Sequence, residues 1–315
     1  MQEMIIEIML IAAFAVGVGI ISSMVGIGGG IINTPLLIII FGLTAQTAPA
    51  TALVAALFVA VASTIAYYRQ NPRPILFKPG LFLAVMTVPG SLVGVALREF
   101  IIDDYVLRII FGVALFPVAL KMLFAKKRGK ADDVASFDFS SLSRNRLALA
   151  LFGGFIGGIS AGLLGIGGGA VVVPVLTILM GLPIHAAVAT SMFTMIFTAS
   201  AGTVRNMIGG HIDPFYALAL GIGIVIGAQI GPKLACRVNA VQLKQVFGLV
   251  LVFPLVKMMY LGQMLLDPDN VSFLMATIGD LIIWLCIVVP IGLLRLYQIR
   301  KAGALQQPED FEAPN

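Results

Sequence analysis

The most regular feature of the chain is a series of continuous apolar runs, most of them long enough to cross a lipid bilayer. The runs lack the strict alternation of apolar and polar positions that marks the strands of a membrane β-barrel. They therefore predict transmembrane α-helices and an all-α polytopic membrane protein. The predicted spans are residues 4–25, 45–68, 79–97, 105–124, 147–164, 184–208, 214–235, 241–261 and 272–294.

Two shorter apolar runs, residues 31–43 and 170–182, each follow a glycine-rich pentapeptide. A helix of this length reaches about 20 Å, which is less than the bilayer core of about 30 Å. Neither run can cross the membrane by itself. We therefore expect a broken or re-entrant helical hairpin at each of the two places.

The two pentapeptides, Gly26–Gly30 and Gly165–Gly169, belong to a long internal repeat. The second copy follows the first by 139 positions. Self-similarity over so long a period indicates two copies of one structural unit. At the same spacing Pro35 matches Pro174, Gly42 matches Gly181, Ala50 matches Ala189 and Thr51 matches Thr190, and at a spacing of 137 Gly90 matches Gly227 and Gly94 matches Gly231.

The basic residues predict how the two copies are oriented. Cytoplasmic loops carry an excess of Lys and Arg, and the basic segments here are residues 69–78, residues 125–146 and the chain after Arg295. Placing them in the cytoplasm puts the N-terminus outside and gives the two copies opposite orientations. The loop that follows Arg205 must then lie outside despite its one basic residue. Two inverted-topology repeats are the plan of many secondary transporters.

We expect the protein to lie in the cell (inner) membrane. Its predicted organisation has five parts. Residues 1–124 form the first transmembrane repeat, residues 125–146 a cytoplasmic linker, and residues 147–261 the second, inverted repeat. Residues 272–294 form one extra C-terminal transmembrane helix that has no counterpart in the first repeat. Residues 295–315 form a polar cytoplasmic tail.

Composition excludes several other classes of protein. Of all residues 59% are hydrophobic and 11% are charged, and the mean hydropathy is +1.04, whereas a soluble domain is about 25% charged. The net charge of +5 comes from loops and termini, so we expect no nucleic-acid partner. The chain has no G-x-x-x-x-G-K-[ST] motif for nucleotides and no metal-binding spacing of its two cysteines. We expect neither a cofactor nor a metal.

The glycine breaks are the first candidates for a binding site. Unwound backbone presents free N–H groups, and the start of the following helix carries a partial positive charge, so such breaks suit an anion. Paired breaks at corresponding positions point to a transporter site. The alternative is that the glycines only let helices approach closely. The candidate residues are Gly28, Gly29, Gly30, Gly167, Gly168 and Gly169.

Four polar residues in the apolar segments after the breaks are further candidates: Asn33, Thr51, Thr190 and Ser191. They could donate hydrogen bonds to the oxygen atoms of a ligand, or they could bond to neighbouring helices, which is common and contributes modestly. The spans hold almost no Lys or Arg away from their ends, and Arg98 falls in a loop. We therefore expect an anion to be bound by backbone N–H groups and hydroxyls rather than by a buried basic pair.

Three ionisable residues complete the set of candidates. Arg205, near the end of its span, could guide an anion or anchor its helix at the membrane surface. His185 could carry a coupling proton, although His185 and Gln46 occupy equivalent positions before their helices and are also predicted helix caps. Asp280 could relay a proton, although its place near the start of an apolar run favours an interfacial position.

The doubled pattern G-x-G-G-G-x-x-x-x-P, at Gly26–Pro35 and Gly165–Pro174, resembles the sulfite exporter TauE/SafE family. The residues Ala50-Thr51 and Ala189-Thr190-Ser191 that follow the two patterns are similar to the same family. The resemblance covers about residues 8–295. It implies a permease that exports a small sulfur-containing anion, such as sulfite or an organosulfonate, with transport coupled to an ion.

These features predict a secondary transporter of a small anionic solute, driven by H⁺ or Na⁺, surrounded by membrane lipid and compatible with a homo-oligomer. A passive anion channel is an alternative, because broken helices can also line a pore. A membrane-embedded enzyme is less favoured, because His185 and His211 are the only histidines and no acid–base or metal constellation accompanies them. We expect no catalytic residues.

Overall fold

The computed structural model describes residues 2–39, 41–44, 46–100, 139 and 142–238, together with isolated positions between 243 and 290. These residues are helical or lie between helices, and no strand occurs among them. By its contacts the chain divides into a unit of residues 1–251 and a unit of residues 252–315, of which only isolated positions are described. Most of the predicted linker, the extra C-terminal helix, the tail and the spans at 105–124 and 241–261 lie outside the described residues.

Eight α-helices occupy the described part of the chain. They are α1 (Gln2–Val25), α2 (Gly30–Ile39), α3 (Thr47–Tyr68), α4 (Phe77–Phe100), α5 (Arg144–Leu164), α6 (Gly169–Pro174), α7 (Ile184–Ile208) and α8 (Pro214–Ala235). A π-helical turn, Val175–Leu179, follows α6 directly. The helices α7 and α8 have the bounds that the sequence predicts.

Five of these helices, α3, α4, α5, α7 and α8, are long and apolar enough to cross a membrane. Each has between 21 and 25 residues, and a span needs about 20. Their outer faces expose large apolar side chains, such as Val85 at 61% and Phe152 at 63%. Such faces are stable when they contact lipid, so the chain is a multi-pass helical membrane protein.

The short segments after the glycine breaks are confirmed. Helix α2 has 10 residues, and α6 has 6 residues before the π-helical turn adds 5 more. Pro174 stands at the junction of α6 and the π-helical turn. Proline has no N–H and its ring crowds the preceding turn, so the regular α-helical hydrogen bonding changes there.

Local sequence sets the ends of the helices. The Asp213 side chain accepts the N–H groups of Phe215 (3.0 Å) and Tyr216 (3.3 Å) and caps α8. The predicted caps at Gln46 and His185 are wrong. Gln46 makes no capping hydrogen bond, and the residue that precedes α7 is Pro183.

Helix α4 runs three residues past the end of its predicted span and so includes Arg98. The sequence pattern places Arg98 in a loop, but in the structure its side chain is only 6% exposed. The difference has a physical cause. Hydropathy ends a span at its first charge, whereas packing against neighbouring helices can bury a charged side chain that finds polar partners.

The helices pack in matched pairs. Helix α1 packs on α8, and its counterpart in the second copy, α5, packs on α4. In the same way α3 contacts α8, and its counterpart α7 contacts α4. The counterparts α3 and α7 also contact each other. Glycines permit the close approach: a methyl group on Gly227 would overlap the carbonyl oxygen of Val16, and one on Gly90 would overlap that of Phe155. The largest helix contacts therefore join one sequence copy to the other.

Candidate functional site

Each glycine break is a turn that glycine adopts without strain. We call residues 26–30 the first turn and residues 165–169 the second turn. In the first turn φ is 85° at Gly26, 88° at Gly28 and 78° at Gly29, and at the three matching residues of the second turn it is 71°, 80° and 87°. Residues with a Cβ atom rarely adopt such values. The two turns therefore share one backbone shape, as the sequence repeat predicts.

Both turns leave consecutive backbone N–H groups without acceptors. The Gly29 carbonyl accepts two N–H groups from α2, but the N–H groups of residues 28–31 have no acceptor among the described residues. The Gly168 carbonyl likewise accepts two N–H groups from α6, and those of residues 167–170 find none in the same part of the chain. All of these residues are buried. Because nearly all buried backbone groups are paired, this backbone is a candidate ligand-binding surface.

The two turns touch each other. A methyl group on Gly30 would overlap the carbonyl oxygen of Gly165, and one on Gly169 would overlap the carbonyl oxygen of Gly26. The contact is reciprocal, because the same two positions of each turn are used. The glycines thus have both roles that the sequence suggests: they bring backbones together, and they leave donors free.

Ser191 connects α7 to the first turn. Its hydroxyl lies 3.1 Å from the carbonyl oxygen of Gly26 and 2.8 Å from that of Val188, and it donates to these acceptors. The side chain is 1% exposed. The structure therefore places this predicted site residue at the glycine turns, where it holds the backbone in position.

Two polar side chains lie beside Gly29 and have no hydrogen-bond partner in the described part of the chain. They are Asn33, at 0% exposure, and Ser22, at 2%, and the Oγ of Ser22 and both polar atoms of the Asn33 amide are unpaired. A methyl group on Gly29 would lie 3.1 Å from Ser22 Oγ and 3.3 Å from Asn33 Nδ2. Ligand binding by Asn33 stays a prediction, and the geometry adds Ser22 as a further candidate, which sequence reasoning missed.

The second turn lacks this polar pair. At a spacing of 139 the residue matching Ser22 is Ala161 and the one matching Asn33 is Val172. A methyl group on Gly168 would lie 3.5 Å from the Ala161 Cβ. A comparison of the two copies position by position would have revealed Ser22, since serine in one copy and alanine in the other marks a difference between otherwise similar turns.

Met195 fills the space between the turns. A methyl group on Gly28 would overlap its sulfur atom, one on Gly167 would lie 2.8 Å from that sulfur, and one on Gly169 would lie 2.8 Å from its Cε. Met195 is 1% exposed, and the matching residue in the first copy is Ala56. A flexible thioether can change its shape at low cost, so this side chain can move aside for a ligand.

Thr51 and Thr190 have matching contacts, and their hydroxyls bond to loops rather than to the turns. The Thr51 hydroxyl accepts the N–H of Asp213 at 3.0 Å, and the Thr190 hydroxyl accepts the N–H of Leu76 at 3.0 Å. Leu76 and Asp213 correspond to each other in the repeat. Each threonine therefore fixes the loop before the last described helix of its copy. Their role as ligand-binding residues stays a prediction.

The ionisable candidates are also separate from the turns. Arg205 pairs with Glu99 at 2.7 Å, and both side chains are partly exposed. His185 Nε2 lies 3.1 Å from the carbonyl oxygen of Ala235 and 3.0 Å from that of Val238, so the ring holds the end of α8. Asp280 lies outside the described residues. Proton coupling by either residue stays a prediction.

A protein-family model identifies the chain. The model described as sulfite exporter TauE/SafE matches residues 10–258. The chain belongs to this family. The match takes in all eight helices, except the first residues of α1, and both glycine turns of this TauE/SafE protein. It confirms the resemblance that the doubled glycine pattern suggests.

Several curated relatives of this TauE/SafE protein are called probable membrane transporter proteins. YunE of Bacillus subtilis is 30% identical over 264 residues, which cover 78% of this chain and 94% of the relative. YdhB of the same organism is 26% identical, with 78% and 100% covered, and MJ0441 of Methanocaldococcus jannaschii is 25% identical, with 79% and 93% covered. No solved structure shows a significant match. These names indicate a membrane transporter rather than an enzyme.

Proposed function

We propose that this TauE/SafE protein is a secondary transporter that exports a small sulfur-containing anion, such as sulfite or an organosulfonate, and binds it at the two glycine turns. One observation carries the proposal: two buried turns meet, and each has at least four consecutive N–H groups without acceptors among the described residues. Anionic oxygens accept hydrogen bonds from such groups. The anion is therefore bound without an ionisable side chain in the turns.

The side chains around the first turn add to this backbone site. The amide group of Asn33 and the hydroxyl of Ser22 are unpaired beside Gly29, and both can donate to a sulfite or sulfonate oxygen. The ten-residue helix α2 begins at this turn and directs its positive end towards it. The first turn therefore supplies the stronger half of the proposed site.

Alternating access follows from the arrangement of the two copies. The matched packing of α1 with α8 and of α4 with α5 supports a two-fold relation between the copies, since exchanging them leaves the helix partners unchanged, and the basic loops favour the inverted form of that relation. Movement of one packed group of helices against the other opens such a site to each side in turn. Reporter fusions test the topology: Met1 is expected outside, and Lys127 and Asn315 in the cytoplasm. A cytoplasmic Met1 together with a cytoplasmic Lys127 contradicts the inverted arrangement.

The proposal is tested by sulfite flux in proteoliposomes. Gly29→Ala places a methyl group beside Ser22 and Asn33 and is expected to remove most of the flux. Gly181→Ala is the matched control, because Gly181 has a similar φ of 81° but no atom within 4 Å of an added methyl group. Strain is therefore similar in the two variants and only the first blocks the site. Equal flux in both variants would overturn the proposed site.

Ion gradients distinguish a transporter from a channel in the same vesicles. A secondary transporter accumulates sulfite against its gradient when a gradient of H⁺ or Na⁺ is imposed, and the effective cation identifies the coupling ion. A passive channel only lets sulfite equilibrate. Flux that responds to membrane potential alone, without accumulation driven by either cation gradient, would show that the channel alternative is correct.

A further inference from the structure

Apart from the glycine turns, the described chain contains a buried positive charge without a carboxylate partner. Arg98 of α4 is 6% exposed. Its guanidinium group donates to the carbonyl oxygen of Gly162 on α5, at 3.3 Å, and to Oδ1 of Asn206 on α7. The Glu99 carboxylate, the nearest along the chain, pairs with Arg205 instead. Arginine stays protonated in proteins, and both hydrogen-bond partners of Arg98 among the described residues are neutral groups.

The groups around Arg98 offer hydrogen-bond donors that are not used. Arginine only donates, so the Asn206 amide must turn its oxygen to Arg98, and its Nδ2 then has no partner. Ser91 Oγ is also unpaired. It lies beside Gly202 of α7, 2.6 Å from where a methyl group on that glycine would be. Gly202 is one helical turn before Asn206. Asn206 and Ser91 are both 0% exposed. A cation and two unused polar groups, all buried, form a setting that an anion would satisfy.

The corresponding place in the other copy carries no charge. The residue matching Arg98 is Ala235, and the one matching Asn206 is Tyr67. The Tyr67 hydroxyl donates to the carbonyl oxygen of Ser23 at 2.9 Å, and Ser23 matches Gly162. A single hydroxyl is thus enough to satisfy that carbonyl group. The charged cluster is therefore more than the fold needs to join these helices.

We propose that Arg98, Asn206 and Ser91 form a second anion-binding site, for a small oxyanion, at the end of α5 that leads into the second turn. Gly162 precedes Gly165 by three residues, so the cluster and the second turn are about one helical turn apart along α5. The proposed cluster therefore lies next to the second turn along the chain. Only the statement that the anion contains sulfur rests on the proposed function.

The test is equilibrium binding of radiolabelled sulfite and sulfate to purified protein in detergent, at constant ionic strength with gluconate as the balancing anion. Asn206→Asp has nearly the shape of the native side chain and places a carboxylate on Arg98. It is expected to weaken oxyanion binding at this site about tenfold or more, the loss that follows when a charge-assisted hydrogen-bond set is removed. It is also expected to raise the melting temperature without ligand, which shows that the variant is folded.

Two other variants complete the experiment. Arg98→Lys keeps the charge but loses the planar fork of donors, so binding is expected to weaken less than in Asn206→Asp. Tyr67→Phe removes the matching hydrogen bond of the other copy and is expected to leave oxyanion binding unchanged. Equal binding in wild type and Asn206→Asp would overturn the second site, as would a loss in Tyr67→Phe as large as that in Asn206→Asp.

Parallel measurements on Gly29→Ala separate this proposal from the proposed function. If Gly29→Ala loses binding and Asn206→Asp does not, the turns bind the anion and the second site is wrong. If only Asn206→Asp loses binding, the second site stands and the site at the turns is wrong. If phosphatidylglycerol in mixed micelles raises the melting temperature of wild type but not of Asn206→Asp, while sulfite and sulfate have no effect, the anion is a lipid phosphate and the site for a free oxyanion is overturned.

Discussion

The first and second turns have the same backbone and different surroundings. Both use left-handed glycines, both leave at least four N–H groups without acceptors among the described residues, and each packs a glycine against the other turn. Beside Gly29, however, lie the unpaired Ser22 and Asn33, whereas the matching residues in the second copy are Ala161 and Val172. The difference teaches how the proposed site divides its roles: we propose that the shared backbone supplies the general affinity for an anion and that the side chains beside the first turn orient it.

The largest effect is expected where the two turns are equal. Gly30→Ala and Gly169→Ala each place a methyl group on a carbonyl oxygen of the opposite turn, and we expect each to lower the free energy of unfolding by about 3 kcal/mol, the upper part of the range for overpacking. Thermal melting in detergent measures this. Gly17→Ala is the control, because an added methyl group there meets no atom within 4 Å. Unequal losses at Gly30 and Gly169 would show that the turns are not equivalent.

Only the second copy places a long side chain, Met195, between the turns. Shortening this side chain should change the preference of the site for small over large anions. Met195→Ala removes the side chain between the turns and makes it match Ala56, so we expect larger organosulfonates to bind more tightly relative to sulfite. The cavity should also cost about 2 kcal/mol of stability, the lower end of the range for removing a large buried side chain. Met192→Ala is the control, since Met192 is equally buried on the same helix and should lose stability without any change in size preference. An unchanged ratio of affinities in Met195→Ala would contradict this role.

Asn33 tests the asymmetry of the turns directly. Asn33→Leu keeps the size of the side chain and removes two unpaired buried atoms, so we expect anion affinity to fall about tenfold or more while stability rises by about 1 kcal/mol. Val172→Leu, a change between apolar residues beside the second turn, should leave affinity nearly unaltered. Calorimetry with sulfite and thermal melting measure the two quantities. A loss of stability in Asn33→Leu would assign Asn33 to the fold rather than to the ligand.

The smallest expected effect concerns Thr51 and Thr190, which behave as a matched pair. Replacing either by Val removes one hydrogen bond to a loop N–H, so we expect similar losses of about 1 kcal/mol in thermal stability. Sulfite affinity in the same two variants tests the prediction that these threonines bind the ligand. If only Thr190→Val weakens binding, the copies differ here as well. If neither does, the two residues only hold loops.

Much of the fold could be predicted from the sequence. Continuous apolar runs mark membrane helices because the bilayer excludes unpaired backbone and charge, and the bounds of α7 and α8 follow from that rule. The end of α4 could not be found in this way. Arg98 stops an apolar run, and its burial depends on Gly162 and Asn206, which come from distant parts of the chain.

The candidate site was partly predictable for a similar reason. The glycine patterns identify the turns, because positive φ and close approach both require glycine. That Ser191 contacts the first turn while Thr190, its neighbour, holds a loop depends on the rotation of α7, which composition does not reveal. Met195 gives no polar signal at all. Its place between the turns is a result of packing alone.

The pairing of α1 with α8 has a consequence for synthesis. Val25 ends α1, and Pro214 begins α8 189 residues later. At roughly 5–20 residues per second a ribosome needs on the order of 10–40 s to cover that interval. During this time the face of α1 that packs against the glycines of α8 has no native neighbour. Biogenesis therefore requires that this first helix wait in the lipid, or beside the insertion machinery, until the second copy has been translated.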